Sequence, residues 1–256
     1  MKRNRNKLYT TLTLAMLVIG AIVMSCKKNE EPTPEVTDYS IIPDAIKKNF
    51  KSSVLISTSN GNIVLKSYGI PDHVTPYWGE GNAKYEAQTP GQTLTPSVIQ
   101  TQNFSMTIFA NPVEASTKEP TSLGPIGMAL NGVAIYNDRE GGNVPVSDQT
   151  LTSFDRAGGH SGPGGLYHYH FDGDFTSYDD ANLIGFLRDG FPIYGRKDAD
   201  GSYPSNLDAN GGHVGATLDY PNGVYHYHSA QTSYLNSRFY ILKSGSYHGT
   251  KGTFTF

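Results

Sequence analysis

Cysteine is nearly absent: one residue in 256. A single thiol closes no disulfide within the chain and builds no thiolate metal cluster, and if that thiol is lipidated a metal site here must use nitrogen and oxygen ligands. Charge is also sparse, at 17% of residues. Residues 1–25 carry four basic side chains, Lys2, Arg3, Arg5 and Lys7, and no acidic one, so the net charge of −3 becomes −7 for the remainder. A mildly acidic body argues against nucleic acid as a partner. There is no phosphate-cradling loop, no glycine-rich dinucleotide fingerprint and no nucleophile elbow. Past the first 25 residues no long stretch has helical periodicity. Glycine (28) and tyrosine (17) are plentiful instead. The expected class is therefore all-β or β-dominated, rich in turns, as a single domain.

The N-terminus reads as a targeting segment. MKRNRNK is basic, LYTTLTLAMLVIGAIVMS is apolar, and the lone Cys26 follows at once. That arrangement resembles the lipobox of bacterial lipoproteins, in which the cysteine is lipidated and becomes the mature N-terminus. The expected division is a signal peptide over 1–25, a lipidated tether and linker over 26–50, and a β domain over 51–256. The expected location is the cell envelope, anchored by lipid to a bacterial outer membrane and facing either the periplasm or the surface.

YSIIPDAIKKNF (39–50) has room for a short helix, and FSMTIFA (104–110) is a strand within a stretch, 75–122, of loops and edge strands. Asn60-Gly61 predicts a type I′ hairpin turn, and the same device recurs at Asn131-Gly132 and Asp189-Gly190. The last two belong to a repeat. IGMALNGVAIYND (126–138) aligns with IGFLRDGFPIYGR (184–196), FDRAGGH (154–160) with LDANGGH (207–213), and GLYHYH (165–170) with GVYHYH (223–228). The copies, about 126–170 and 184–228, imply an internal duplication of a half-domain: hairpin, Gly-Gly-His loop, Tyr-His-Tyr-His strand.

Six of the eight histidines fall in this pattern. On a strand, side chains two apart share a face. His168 with His170, and His226 with His228, can then converge on one cation, with His160 and His213 as third ligands aimed by the preceding glycines. Asp155 and Asp208 are candidate alternative ligands, or acceptors that fix a histidine tautomer. Imidazole clusters of this kind suit Zn or Cu better than Ca. Asp198-Ala-Asp-Gly-Ser202 lacks the acids of a calcium loop and reads as a turn. The competing structural account is a packed Tyr-His strand with its polar tips hydrogen-bonded.

SYGIPDH (67–73), LNGVAIYN (130–137), GGLYHYH (164–170), IGFLRDGFPIYG (184–195), LDANGGH (207–213), GVYHYH (223–228) and SYHGTKG (246–252) together resemble the bacterial YHYH-domain proteins, a family without an assigned activity. The resemblance spans roughly 54–252 and adds His73 and His248 as further candidate ligands. Cysteines associated with that family pattern are replaced here, at Ala157 and Asn210. Three functions follow as expectations: an envelope lipoprotein binding Zn or Cu; a metal-dependent hydrolase or oxygen-handling enzyme at an open three-histidine site, its substrate unspecified; or a glycan-binding module using Trp78 and the tyrosines, with structural histidines.

Overall fold

A computed structural model describes residues 37–256. The expected signal peptide and Cys26 lie outside the described residues. Among the described residues no helix is long and apolar enough to cross a membrane. The structure is β-dominated, with only short helices.

The short helix α1 forms at Asp44–Asn49 and buries Ala45 and Ile46. Ile42 and Phe50 join them in the core, so the packed part begins before residue 51. Strand β1 (Leu55–Ser59) turns into β2 (Asn62–Ser67) through Asn60 and Gly61, both with positive φ, as a type I′ turn requires. Strand β3 is Phe104–Phe109. It was expected among loops and edge strands, yet it lies inside a sheet: it pairs with β2 on one side and with the C-terminal strand, β16 at Thr253–Thr255, on the other. Its alternation is the reason. Phe104, Met106 and Ile108 point inward and are buried, while the intervening residues are half-buried or exposed.

The first repeat copy supplies β4 (Gly127–Ala129) and β5 (Ala134–Ile135), a two-residue-strand hairpin β6 (Arg139–Glu140) with β7 (Val144–Pro145), the four-residue helix α2 (Asp148–Leu151), then β8 (Gly159–Ser161), β9 (Tyr167–Tyr169) and β10 (Phe171–Asp172). The second copy supplies β11 (Leu183–Leu187), β12 (Pro192–Tyr194), β13 (Gly212–Gly215) and β14 (Val224–His228), and β15 (Tyr240–Ile241) follows. The turns at Asn131-Gly132 and Asp189-Gly190 are not type I′. Only the glycine has positive φ in each. The Asn131 and Asp189 carboxamide and carboxylate oxygens instead accept the backbone N–H of Val133 and Phe191.

Eight strands form one sheet in the order β13-β14-β12-β11-β4-β5-β9-β8. The two copies read outward identically from the antiparallel β11–β4 pair. β5 lies parallel to β9 and β12 parallel to β14; β8 and β13 close the edges antiparallel. On one face, Tyr167, Tyr169, Tyr225 and Tyr227 join Ile135, Ile193 and Leu187 in a core cluster. On the other, Met128, Ala134, Phe186 and Tyr194 pack against Ile63, Leu65, Phe104 and Met106 of the four-stranded sheet. Paired residues share a face, and His168 pairs with Ala134 and His228 with Tyr194. The histidines therefore continue the face that the four-stranded sheet covers in the middle, at the two flanks the cover leaves.

Candidate metal centres

The Asp-x-x-Gly-Gly-His loop has a mechanical reason for each of its residues. Asp155 Oδ1 accepts the N–H groups of Ala157 and Gly159, and Asp208 Oδ1 those of Asn210 and Gly212, so each aspartate ties off its own turn. Gly158 and Gly211 take φ of +79° and +77°, which side chains with a Cβ resist. Gly159 and Gly212 leave room for the tyrosine opposite: a Cβ at Gly159 would stand 2.5 Å from the Tyr167 hydroxyl, and one at Gly212 2.6 Å from that of Tyr225. Both hydroxyls donate to the same aspartates, Tyr167 to Asp155 at 2.6 Å and Tyr225 to Asp208 at 3.1 Å.

After that turn the third histidine sits directly across the ladder from the first of the pair, His160 opposite His168 and His213 opposite His226. In the first copy the Nε2 atoms of His160 and His168 are 3.1 Å apart, and the metal-capable ring nitrogens of His160, His168 and His170 lie within 4.8 Å of one another. In the second copy His213 Nε2 is 3.1 Å from His226 Nε2 and 3.2 Å from His228 Nε2.

The opposite nitrogen of every ring is pinned. His168 Nδ1 donates to Leu166 O (3.0 Å), His170 to Asn137 O, His226 to Val224 O (3.0 Å) and His228 to Gly195 O (2.7 Å). His213 Nδ1 donates to Asn206 Oδ1 at 2.7 Å. His160 Nδ1 donates to Ser153 Oγ at 2.8 Å, because the Ser153 hydroxyl proton is committed to Thr150 O. With Nδ1 carrying the proton, Nε2 of each neutral ring is a bare lone pair. Burial opposes the alternative of a second proton. It holds His160 and His170 well below the ordinary imidazole range, helped by the neighbouring histidines, and brings His168 and His228 down to about 4. His226 is lowered by burial as well.

A carboxylate stands beside each set. Asp198 Oδ1 lies 3.1 Å from His213 Nε2, 3.8 Å from His226 Nε2 and 3.3 Å from His228 Nε2. Four ligands on a tetrahedron with bonds of about 2.1 Å are about 3.4 Å apart, so these spacings are the edges of such a shell. Glu140 Oε1 lies 3.5 Å from both His160 Nε2 and His170 Nε2. Among the described residues, Glu140 Oε1 and His170 Nε2 are buried atoms with no hydrogen-bond partner, which is the state of atoms shaped for a ligand of another kind. Burial also raises the Glu140 carboxyl above its ordinary range.

Neither carboxylate was among the expected site residues, although the repeat points to both. Glu140 and Asp198 are separated by the same 58 residues as the two hairpins and the two Tyr-His-Tyr-His strands. Residues 198–202 do form a turn, with Ser202 O accepting the Asp198 N–H, and that turn aims the Asp198 carboxylate at the histidines. Each imidazole set thus has a carboxylate nearby, close to all three ring nitrogens in the second copy and to two of them in the first.

The other expected candidates belong to the opposite face. Asp155 and Asp208 serve their turns and tyrosines and touch none of the six ring nitrogens. His73 Nδ1 donates to Val74 O, so its Nε2 accepts the Tyr169 hydroxyl at 2.7 Å. His248 stacks on the Tyr225 ring with centroids 3.4 Å apart. Strand alternation explains all four: whatever contacts the tyrosines is across the sheet from the histidines. The two sets also stay separate, one per copy, rather than merging into a composite site of six histidines.

Residues 105–204 match the family model described as YHYH protein, in line with the resemblance carried by the motifs. The match takes in the whole first histidine set and Glu140, and it ends after Asp198, before the second Gly-Gly-His and Tyr-His-Tyr-His segments. No curated protein and no solved structure matches the chain.

Proposed function

We propose that this chain, similar to YHYH proteins over residues 105–204, holds one transition-metal ion in each repeat copy, through His160, His168 and His170 in the first, with Glu140 beside them, and through His213, His226, His228 and Asp198 in the second. The observation that carries the reading is the convergence of bare Nε2 lone pairs at 3.1–3.2 Å. Two such lone pairs repel at that distance, and a cation between them turns the repulsion into two bonds. The carboxylate offsets the buried charge. Three nitrogens, joined in the second set by an oxygen on tetrahedral edges, suit Zn, with Cu the competing ion. The lipidated Cys26 and tether would make this a cell-envelope protein, and matched construction of the two copies supports duplication as its origin.

A metal-dependent enzyme is the second reading, favoured by one feature of the first set. His160, His168 and His170 line a cavity of about 350 Å³, within the range of ligand pockets. The glycan-binding reading gains no such support. Trp78 is half-buried against the core, and its indole N–H is given to His73 O at 3.0 Å.

Elemental analysis of the full chain, purified in detergent, tests the proposal. Two equivalents of Zn or Cu are expected. The His168→Ala/His170→Ala and His226→Ala/His228→Ala variants should each keep one. A chain that takes up neither ion on incubation with both overturns the proposal and leaves the histidines as hydrogen-bonding structural groups.

A further inference from the structure

The two sets share their construction but differ in what lies beyond them. Asp198 Oδ1 reaches all three nitrogens of the second set, which is a complete four-ligand shell. Glu140 Oε1 reaches two of the three in the first. The first set also forms one wall of the 350 Å³ cavity, whose other walls include Leu123, Pro163, Leu166, Tyr136, Arg139 and Glu140. A closed shell is the mark of a structural ion and an open one of a working ion.

Arg139 makes the asymmetry chemical. Its counterpart 58 residues on is Lys197, whose ammonium is engaged by Asp179 at 3.3 Å and lies over the Tyr203 ring. Among the described residues, the Arg139 side chain is held only by a 3.5 Å contact to Asn143 O and a 3.7 Å approach to Asp138. Arg139 lines the first cavity beside the ion site, and most of its guanidinium donors have no partner among the described residues.

From this we infer that the first set is a ligand-binding site for a small organic carboxylate, and the second a structural site. One carboxylate oxygen would complete the shell at His160, His168 and His170, the other would accept from Arg139, and Leu123, Pro163 and Leu166 would take an apolar body. The planar fork of guanidinium matches a carboxylate in two-point contact. This rests on the metal reading above.

The test loads the full chain with Co(II), measures cobalt content, and titrates benzoate and acetate while following the visible absorption of the ion. The expected result is a spectral change in the native chain and in His226→Ala/His228→Ala, with benzoate binding more tightly than acetate. His168→Ala/His170→Ala, still holding one cobalt, should show none. Arg139→Gln should keep its cobalt and weaken benzoate about 10-fold to 100-fold, the worth of a charged hydrogen bond. Cobalt bound at both sets with no response to benzoate, or a response from the second set alone, overturns this inference and leaves the metal reading standing. Absence of cobalt from both sets removes the two together.

Discussion

Individual side chains in this protein carry burdens that their neighbours set. Lys243 is the sharpest case outside the histidine sets. It is 3% exposed, lies over the Tyr227 ring at 5.2 Å, and gives its ammonium to Ser244 O. Burial brings its pKa down to about 8, against the pull of Asp189, Asp208 and Asp138 in the other direction. Below pH 8 both folded and unfolded chains are protonated there, and the folded state holds a buried charge at a cost. Between about 8 and 10.5 the unfolded chain keeps the proton that the folded chain sheds, so stability rises with pH across that window. Lys243→Met should therefore stabilise the protein at pH 7 by up to about 3 kcal/mol, and the gain should vanish by pH 10.5. Urea unfolding at pH 7, 9 and 10.5 checks the trend; a gain that does not depend on pH would assign the effect to packing.

At the scale of elements, the Gly-Gly-His turn and the Tyr-His-Tyr-His strand form one device. The turn's aspartate holds the tyrosine hydroxyl on one face of the ladder, and the histidines paired across the same ladder meet on the other. Gly159→Ala would put a Cβ 2.7 Å from Tyr167 Cζ and 2.9 Å from His168 O. Overpacking of this kind costs about 1–3 kcal/mol. The expected outcome is a lower urea midpoint together with weaker metal binding in the first set and unchanged binding in the second. Gly212→Ala, which crowds Tyr225 and His226 O, should reverse the pattern. Metal content of the two variants, measured after matched dialysis, separates local from general damage: loss from both sets in either variant would show that the copies are not independent devices.

For the molecule as a whole, two buried layers hold the sheet independently of any ion. The tyrosine face and the four-stranded cover bury large side chains completely, among them Tyr167, Tyr227, Phe104 and Phe186. Each such burial contributes about 1.5–3 kcal/mol. Ions that bind only the folded chain add stability by mass action, about 4 kcal/mol for an ion at 1,000 times its dissociation constant. Chelation should accordingly lower the melting temperature without abolishing the far-ultraviolet β signal, and added Zn should restore it. An unchanged melting temperature after chelation would mean that the sets contribute nothing to the fold's stability.

Much of this was legible in the chain alone, because its determinants are local. The β class follows from glycine, tyrosine and turn signals. His160, His168 and His170 share a site because a strand alternates and a glycine pair turns, and both are properties of a few consecutive residues. The 58-residue spacing also held the positions of Glu140 and Asp198, two residues beyond the last matched hairpin position in each copy. Other features needed the tertiary structure. Asp155 and Asp208 are nearer the histidines in sequence than Glu140 is to His170, yet the pleat sends them to the opposite face. β3 is a central strand only because the chain's last strand returns to pair with it. The difference between an open first set and a closed second arises where Arg139, Leu123 and Leu166 meet across long stretches of chain, and no local pattern encodes a cavity wall.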